Sequence, residues 1–188
     1  MKVRYPAVCI LASWLLLSGC AQHQDNLPQL EKQVGVLNQK LQRLTDVAIA
    51  LEHQTQLNNQ STSGAYLLPT AENPVRLNSQ IGMIDIALSQ LTATGEGVQG
   101  VLQISNVSAQ PLPSFSATVE WGSLDSVTGK PLQTNIQSQT ITVAASTITH
   151  GKQEIPLHFS HSTLESLGFI HLHHITPETQ SAPLAPKA

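Results

Sequence analysis

The apolar residues of this chain change period once, at a short polar stretch, Asn58-Asn59-Gln60-Ser61-Thr62-Ser63-Gly64. Before it, Leu30, Val34, Leu37, Leu41, Leu44, Ala48 and Leu51 recur at alternating steps of four and three. That spacing keeps one face of a helix apolar and matches the heptad seam of a coiled coil. After it, Phe115, Ala117, Val119 and Trp121 alternate with Ser116, Thr118 and Glu120, while Ile155, Leu157 and Phe159 alternate around Pro156 and His158. A step of two places successive side chains on opposite faces of a strand. A helical segment followed by a β domain is therefore required, because a pattern of one period does not settle into the other backbone.

The helical segment runs from Leu27 to about Asn58, is rich in Gln and Leu, and has no proline after Pro28. At ~1.5 Å per residue, about thirty helical residues reach on the order of 45 Å, long enough for a stalk. The seam is imperfect. Ala48 is small, its continuation falls on Thr55 and Asn58, and Gln33, Asn38 and Thr45 stand where charges would specify a partner. Two readings stay open: a coiled coil that makes the chain a homo-oligomer, and a single amphipathic helix that packs its stripe onto its own domain. Residues 59–64 read as a linker.

Residues 65–177 carry six alternating or apolar runs, at 83–91, 98–104, 115–121, 136–143, 155–159 and 169–175. Turn formers such as Thr94-Gly95-Glu96-Gly97 and Gln110-Pro111-Leu112-Pro113 separate them. Six or seven short strands at this spacing predict a mainly β domain, an antiparallel β-sandwich. Pro156 marks an edge or bulged strand, because proline cannot donate to a ladder. Trp121, inside an alternating run, reads as core. Ser162 and Glu165 have the spacing of a capping box and Gly168 could end the helix they start, so one helical turn is expected there. The tail 178–188, with Pro183 and Pro186, is expected to be disordered.

At the other end, Lys2 and Arg4 precede an apolar run over residues 8–17 that closes in Leu17-Ser18-Gly19-Cys20. A basic start, a short apolar core and small residues before a cut are the parts of a secretory signal, and the run is shorter than the roughly 20 residues that span a bilayer. The final cysteine makes it similar to the lipobox of a bacterial lipoprotein. Residues 1–19 are then removed, and Cys20 carries diacylglycerol and an N-acyl chain as a membrane anchor; no other cofactor is expected. Ala21, where an aspartate would retain the protein at the inner membrane, resembles the pattern sorted to the outer membrane, facing the periplasm. Cys9 leaves with the signal and Cys20 is acylated, so the mature chain has no thiol for a disulfide or a thiolate metal site. Loss of Lys2 and Arg4 from nine basic residues leaves seven against twelve acidic ones, a net charge of −5. That balance argues against nucleic acid as a partner.

The chemistry-bearing residues are sparse apart from histidine. On a strand, His171 and His173 share a face about 6.5–7 Å apart and His174 takes the other. With His158 as a third ligand they could hold a zinc- or copper-like ion, although no carboxylate is an obvious companion for these rings. Asp85, Glu96, Glu120 and Asp125 are dispersed without a spacing that pairs them for acid–base work. Neither a nucleophile elbow nor a phosphate-cradling glycine loop is present, so no catalytic residue is assigned and an enzyme is not expected.

The run 57–69, Leu-Asn-Asn-Gln-Ser-Thr-Ser-Gly-Ala-Tyr-Leu-Leu-Pro, is followed by Arg76-Leu77-Asn78-Ser79-Gln80-Ile81-Gly82, by residues 111–120 and by Leu167-Gly168-Phe169. Together these resemble the YajI-like lipoproteins of enterobacteria and their relatives. The resemblance implies an immunoglobulin-like antiparallel β-sandwich carried on an N-terminal helical segment. It implies no activity, and there is no catalytic position to carry over. Three roles follow as expectations. The first is an interaction module that offers a sheet edge or the Tyr66-Leu67-Leu68 segment to an unidentified envelope protein. The second is a histidine-based metal-binding lipoprotein, and the third a structural stalk oligomer.

Overall fold

The computed structural model describes residues 27–108, 110–145 and 152–178. The signal peptide, the lipobox residues Leu17, Ser18 and Gly19, the anchor Cys20 and the tail beyond Glu178 lie outside the described residues. One helix, α1 (Leu27–Gln60), is followed by eight strands: β1 (Ala65–Leu67), β2 (Val75–Ser79), β3 (Gly82–Thr94), β4 (Gly97–Asn106), β5 (Phe115–Gly122), β6 (Gln137–Val143), β7 (Lys152–Ser160) and β8 (Phe169–Pro177).

The helix extends two residues past Asn58, and only its second half buries a face. Thr45 and Thr55 stay within it by returning their hydroxyls to the carbonyls of Leu41 and Leu51, at 2.9 and 2.8 Å. The chain divides between Thr45 and Asp46 into two units. In the first, the seam residues Leu30, Val34, Leu37, Leu41 and Leu44 are 50–67% exposed. In the second, Ala50, Gln54 and Leu57 are buried, whereas Ala48 and Thr55, where the seam would continue, are exposed.

All strand pairs are antiparallel, in two four-stranded sheets of order β1-β8-β5-β6 and β2-β3-β4-β7. The inner faces meet in one core. Ile84, Ile86, Val98, Leu102, Ile104, Leu157 and Phe159 come from one sheet, and Phe115, Ala117, Val119, Ile170 and Leu172 from the other. Each of these side chains except that of Ala117 contributes about 1.5–3 kcal/mol by leaving water. Trp121 is in this core, edge-on to Phe159 at 5.5 Å, with its indole N–H donating to the Ser160 carbonyl at 3.3 Å. Pro156 lies in the edge strand β7, as its missing donor requires.

A second apolar cluster forms on the outer face of the β1-β8-β5-β6 sheet. Ala50 and Leu57 of α1 pack with Leu68, Ala71 and Phe169, and Tyr66, Leu124 and Ile136 border them. His53 donates from Nε2 to the Gly129 carbonyl at 2.6 Å. Gly129 has φ +67°, and a Cβ there would sit 2.4 Å from His53 Nε2.

The turn expected at 162–165 is displaced by one residue, with Leu167 N donating to the Thr163 carbonyl at 2.9 Å. Ser166 rather than Glu165 completes the reciprocal pair, with its backbone N donating to Thr163 Oγ1 at 3.1 Å and its Oγ accepting from Thr163 N at 2.8 Å. Ser162 instead turns its hydroxyl back to the Ser160 carbonyl at 3.4 Å. The result is a single turn. It ends because Gly168 N pairs with the Gly122 carbonyl at 2.8 Å, where a Cβ on residue 168 would lie 2.5 Å from Leu124 N.

Candidate functional site

β8 presents Phe169, His171 and His173 outward, alternating with the core residues Ile170 and Leu172. Its neighbour β5 sets Glu120 opposite His171 and Thr118 opposite His173. Glu120 Oε2 therefore stands 3.7 Å from His171 Nδ1 and 3.3 Å from His173 Nε2. On the other side, β1 places Tyr66 opposite His171, and the two rings stack at 4.0 Å with 6° between planes. His173 continues the stack at 4.7 Å and 19°. A row of rings thus runs across the sheet beside one carboxylate.

The orientation of His171 is set from the segment between α1 and β1. Its Nε2 lies 2.9 Å from the Ser63 carbonyl, which can only accept, so Nε2 carries the hydrogen and Nδ1 keeps its lone pair. Ser63 reaches this position because Gly64 follows it at φ +73°, where a Cβ would be 2.1 Å from the Leu172 carbonyl oxygen. Burial is the main reason the His171 imidazole titrates below its usual range. The Ser63 carbonyl opposes that shift, His173 adds to it, and Glu120 opposes it in turn. Burial, and then the negative Glu120, also hold the Tyr66 phenol above its usual value.

His173 is buried, and its Nε2 has no hydrogen-bond partner. Its Nδ1 meets Nδ1 of His174. His174 is not on the opposite face, as simple alternation requires. The register shifts between Ser116 and Thr118, so His174 bulges out at φ +49°, exposed, and Ile175 takes the core position. An unpaired imidazole in the core would cost more than the bulge.

His158 does not join this group. It lies in β7 of the other sheet, opposite Gln99, and Glu120 occupies the place expected for it as the third donor. The Tyr66-Leu67-Leu68 segment is also not the accessible docking segment expected of it, because Leu67 and Leu68 are only 1% and 3% exposed. The outward backbone groups of β1 are bound by the end of α1. Tyr66 N donates to Asn58 Oδ1 at 2.7 Å, and Asn58 Nδ2 donates to the Tyr66 carbonyl at 2.9 Å. Leu68 N donates to Gln54 Oε1 at 2.7 Å. Two amide side chains thus act as a further strand and close the edge to pairing.

Sequence reasoning missed Glu120, Ser63, Gln54 and Asn58 as members of these sites. Glu120 had one signal, its outward parity within the run 115–121. Its place beside His171 depends on the β5–β8 register, which that run does not encode.

Residues 20–183 match a family described as a protein of unknown function, DUF3251. The chain belongs to this family. It is similar to the uncharacterized lipoprotein YajI of Escherichia coli strain K12, with 36% identity over 171 residues, 91% of this chain and 95% of that protein. The solution NMR structure of the E. coli protein superposes with a TM-score of 0.68 at 34% identity, covering 76% of this chain and 85% of that one. The helix followed by two antiparallel sheets is thus the architecture of this DUF3251 chain, and it is compatible with the immunoglobulin-like arrangement expected. The trimeric lipoprotein SadB of Salmonella enterica shares the fold more distantly, with a TM-score of 0.51 at 14% identity over 80% of this chain and 76% of that one.

Proposed function

We propose that this DUF3251 protein is a non-catalytic envelope lipoprotein that self-associates through the first half of α1. In this reading acylated Cys20 anchors it in the outer membrane, and the sandwich faces the periplasm. The observation that carries self-association is the exposure of Leu30, Val34, Leu37, Leu41 and Leu44 at heptad spacing in the single chain. Copies anchored in one membrane have parallel helices, so each seam meets its own equivalent and buries apolar surface in register. The shared fold with a lipoprotein named as trimeric supports self-association. The lipobox and the relative named as a lipoprotein support the anchor. A non-catalytic role is supported by the structural tasks of two of the dispersed acids. Asp85 is held by Arg76 at 2.9 and 3.1 Å, and Asp125 accepts the backbone and hydroxyl bonds that shape its own loop, which keeps its carboxyl below the usual range.

Sedimentation of a Cys20→Ser form, which cannot be acylated, tests the association. An oligomer is expected, with a monomer for Leu37→Asp combined with Leu41→Asp. A monomeric parent over the micromolar range contradicts the reading. Membrane fractionation tests the anchor: the parent should sediment with outer membranes, and the Cys20→Ser form should not.

A further inference from the structure

Three acceptors converge between β5 and β8. His171 Nδ1 is a lone pair, because the Ser63 carbonyl takes the hydrogen on the other ring nitrogen. Glu120 Oε2 is a carboxylate oxygen, 3.7 Å from it. His173 Nε2 is buried, 3.3 Å from the same oxygen, and makes no hydrogen bond. In the tautomer where His173 Nδ1–H donates to His174, that Nε2 is a lone pair as well. Lone pairs facing a carboxylate with no hydrogen between them repel, and a shared cation removes the repulsion.

We propose that Glu120 Oε2, His171 Nδ1 and His173 Nε2 form a divalent-metal site of the zinc type, with water in the fourth position. The donor atoms lie within 4.8 Å of one another. Bonds of roughly 2.0–2.2 Å in a tetrahedron hold donors about 3.3–3.6 Å apart, so small ring rotations close the site. Two imidazoles and a carboxylate, with no thiolate, suit a borderline ion such as zinc. The Ser63 carbonyl supplies the outer hydrogen bond that zinc-ligating histidines need to fix tautomer and orientation. Neutral imidazoles are required for binding, and the burial that keeps His171 uncharged favours it. The ion would cross-link β5 to β8 through ligands more than fifty positions apart in sequence, Glu120 against His171 and His173. This site is independent of the α1 seam, so either reading can fail alone.

The test is calorimetric titration of the full, detergent-solubilised, tag-free chain with zinc chloride, together with long-range 15N spectra of the imidazoles. One ion per chain is expected, with metal-type shifts at His171 Nδ1 and His173 Nε2. Glu120→Gln and His173→Gln should each weaken binding by on the order of 100-fold, and His158→Ala should leave it unchanged. Zinc should also raise the melting temperature of the parent, because an ion that binds only the folded state stabilises it. The proposal is overturned if no zinc binds, if Glu120→Gln binds as the parent does, or if the spectra show His173 doubly protonated in the presence of zinc. The spectra of the parent decide the matter even if a variant does not fold.

Discussion

The two halves of α1 differ in a way that apolar spacing alone does not foretell. From Leu30 to Leu44 the helix carries large apolar residues at heptad steps and leaves them exposed. From Ala50 to Leu57 its buried face is poorer in apolar residues, with an alanine, a leucine and a glutamine. The second half docks because of what it meets. Ala50 is small enough for Phe169 to approach, Leu57 fills the same cluster, and Gln54 and Asn58 bind the unpaired backbone of β1. Intramolecular docking needs polar as well as apolar complementarity. A stripe of leucines without that complement is suited to an identical stripe on another copy.

The comparison breaks most severely at Phe169. Phe169→Ala removes the ring on which the docked half packs and should cost about 3–5 kcal/mol in chemical denaturation, without changing the association of the first half. Next comes Gln54→Ala. It leaves the Leu68 N–H buried without an acceptor, and urea unfolding should show a loss of about 1–3 kcal/mol. Leu37→Asp sharpens the contrast from the opposite side. At protein concentrations where the chain is monomeric, its stability should stay within about 0.5 kcal/mol of the parent, although its self-association is lost.

The histidine row gives a smaller, pH-dependent effect. His171 titrates below the ordinary imidazole value of 6.5 in the folded chain, so the unfolded state binds its proton first as the pH falls. Stability from this group is complete above the unfolded value and declines as the pH drops below it. In chelator-treated protein the melting temperature should therefore fall as the pH is taken below about 6.5. His171→Gln should flatten that slope, and an unchanged slope would assign the effect to other groups.

Strands with several apolar residues in alternation, such as β5 and β7, were legible because half of each strand faces a continuous core. β1 was not, since three residues carry no period, and its partners are amides on a helix. β2 alternates, but only Val75 and Leu77 mark its inner face, too few for a pattern. The pairing of His171 with His173 followed from parity alone. Glu120 joined them through strand register, His174 left the expected face through a bulge, and His158 fell in the other sheet through topology. Each of those is a long-range property. The helical turn expected at 162–165 forms one residue later for a local reason: Thr163 and Ser166 cap each other in place of Ser162 and Glu165, and Leu167 N donates to the Thr163 carbonyl at 2.9 Å.

Amide hydrogen exchange along α1, measured at two protein concentrations on the non-acylated Cys20→Ser chain, tests the difference between the two halves most directly. Residues 47–60 should be protected equally at both concentrations, since their partners lie in the same chain. Residues 30–44 should gain protection as concentration rises, because theirs lie in another copy. Protection that is uniform along the helix and independent of concentration would contradict the account.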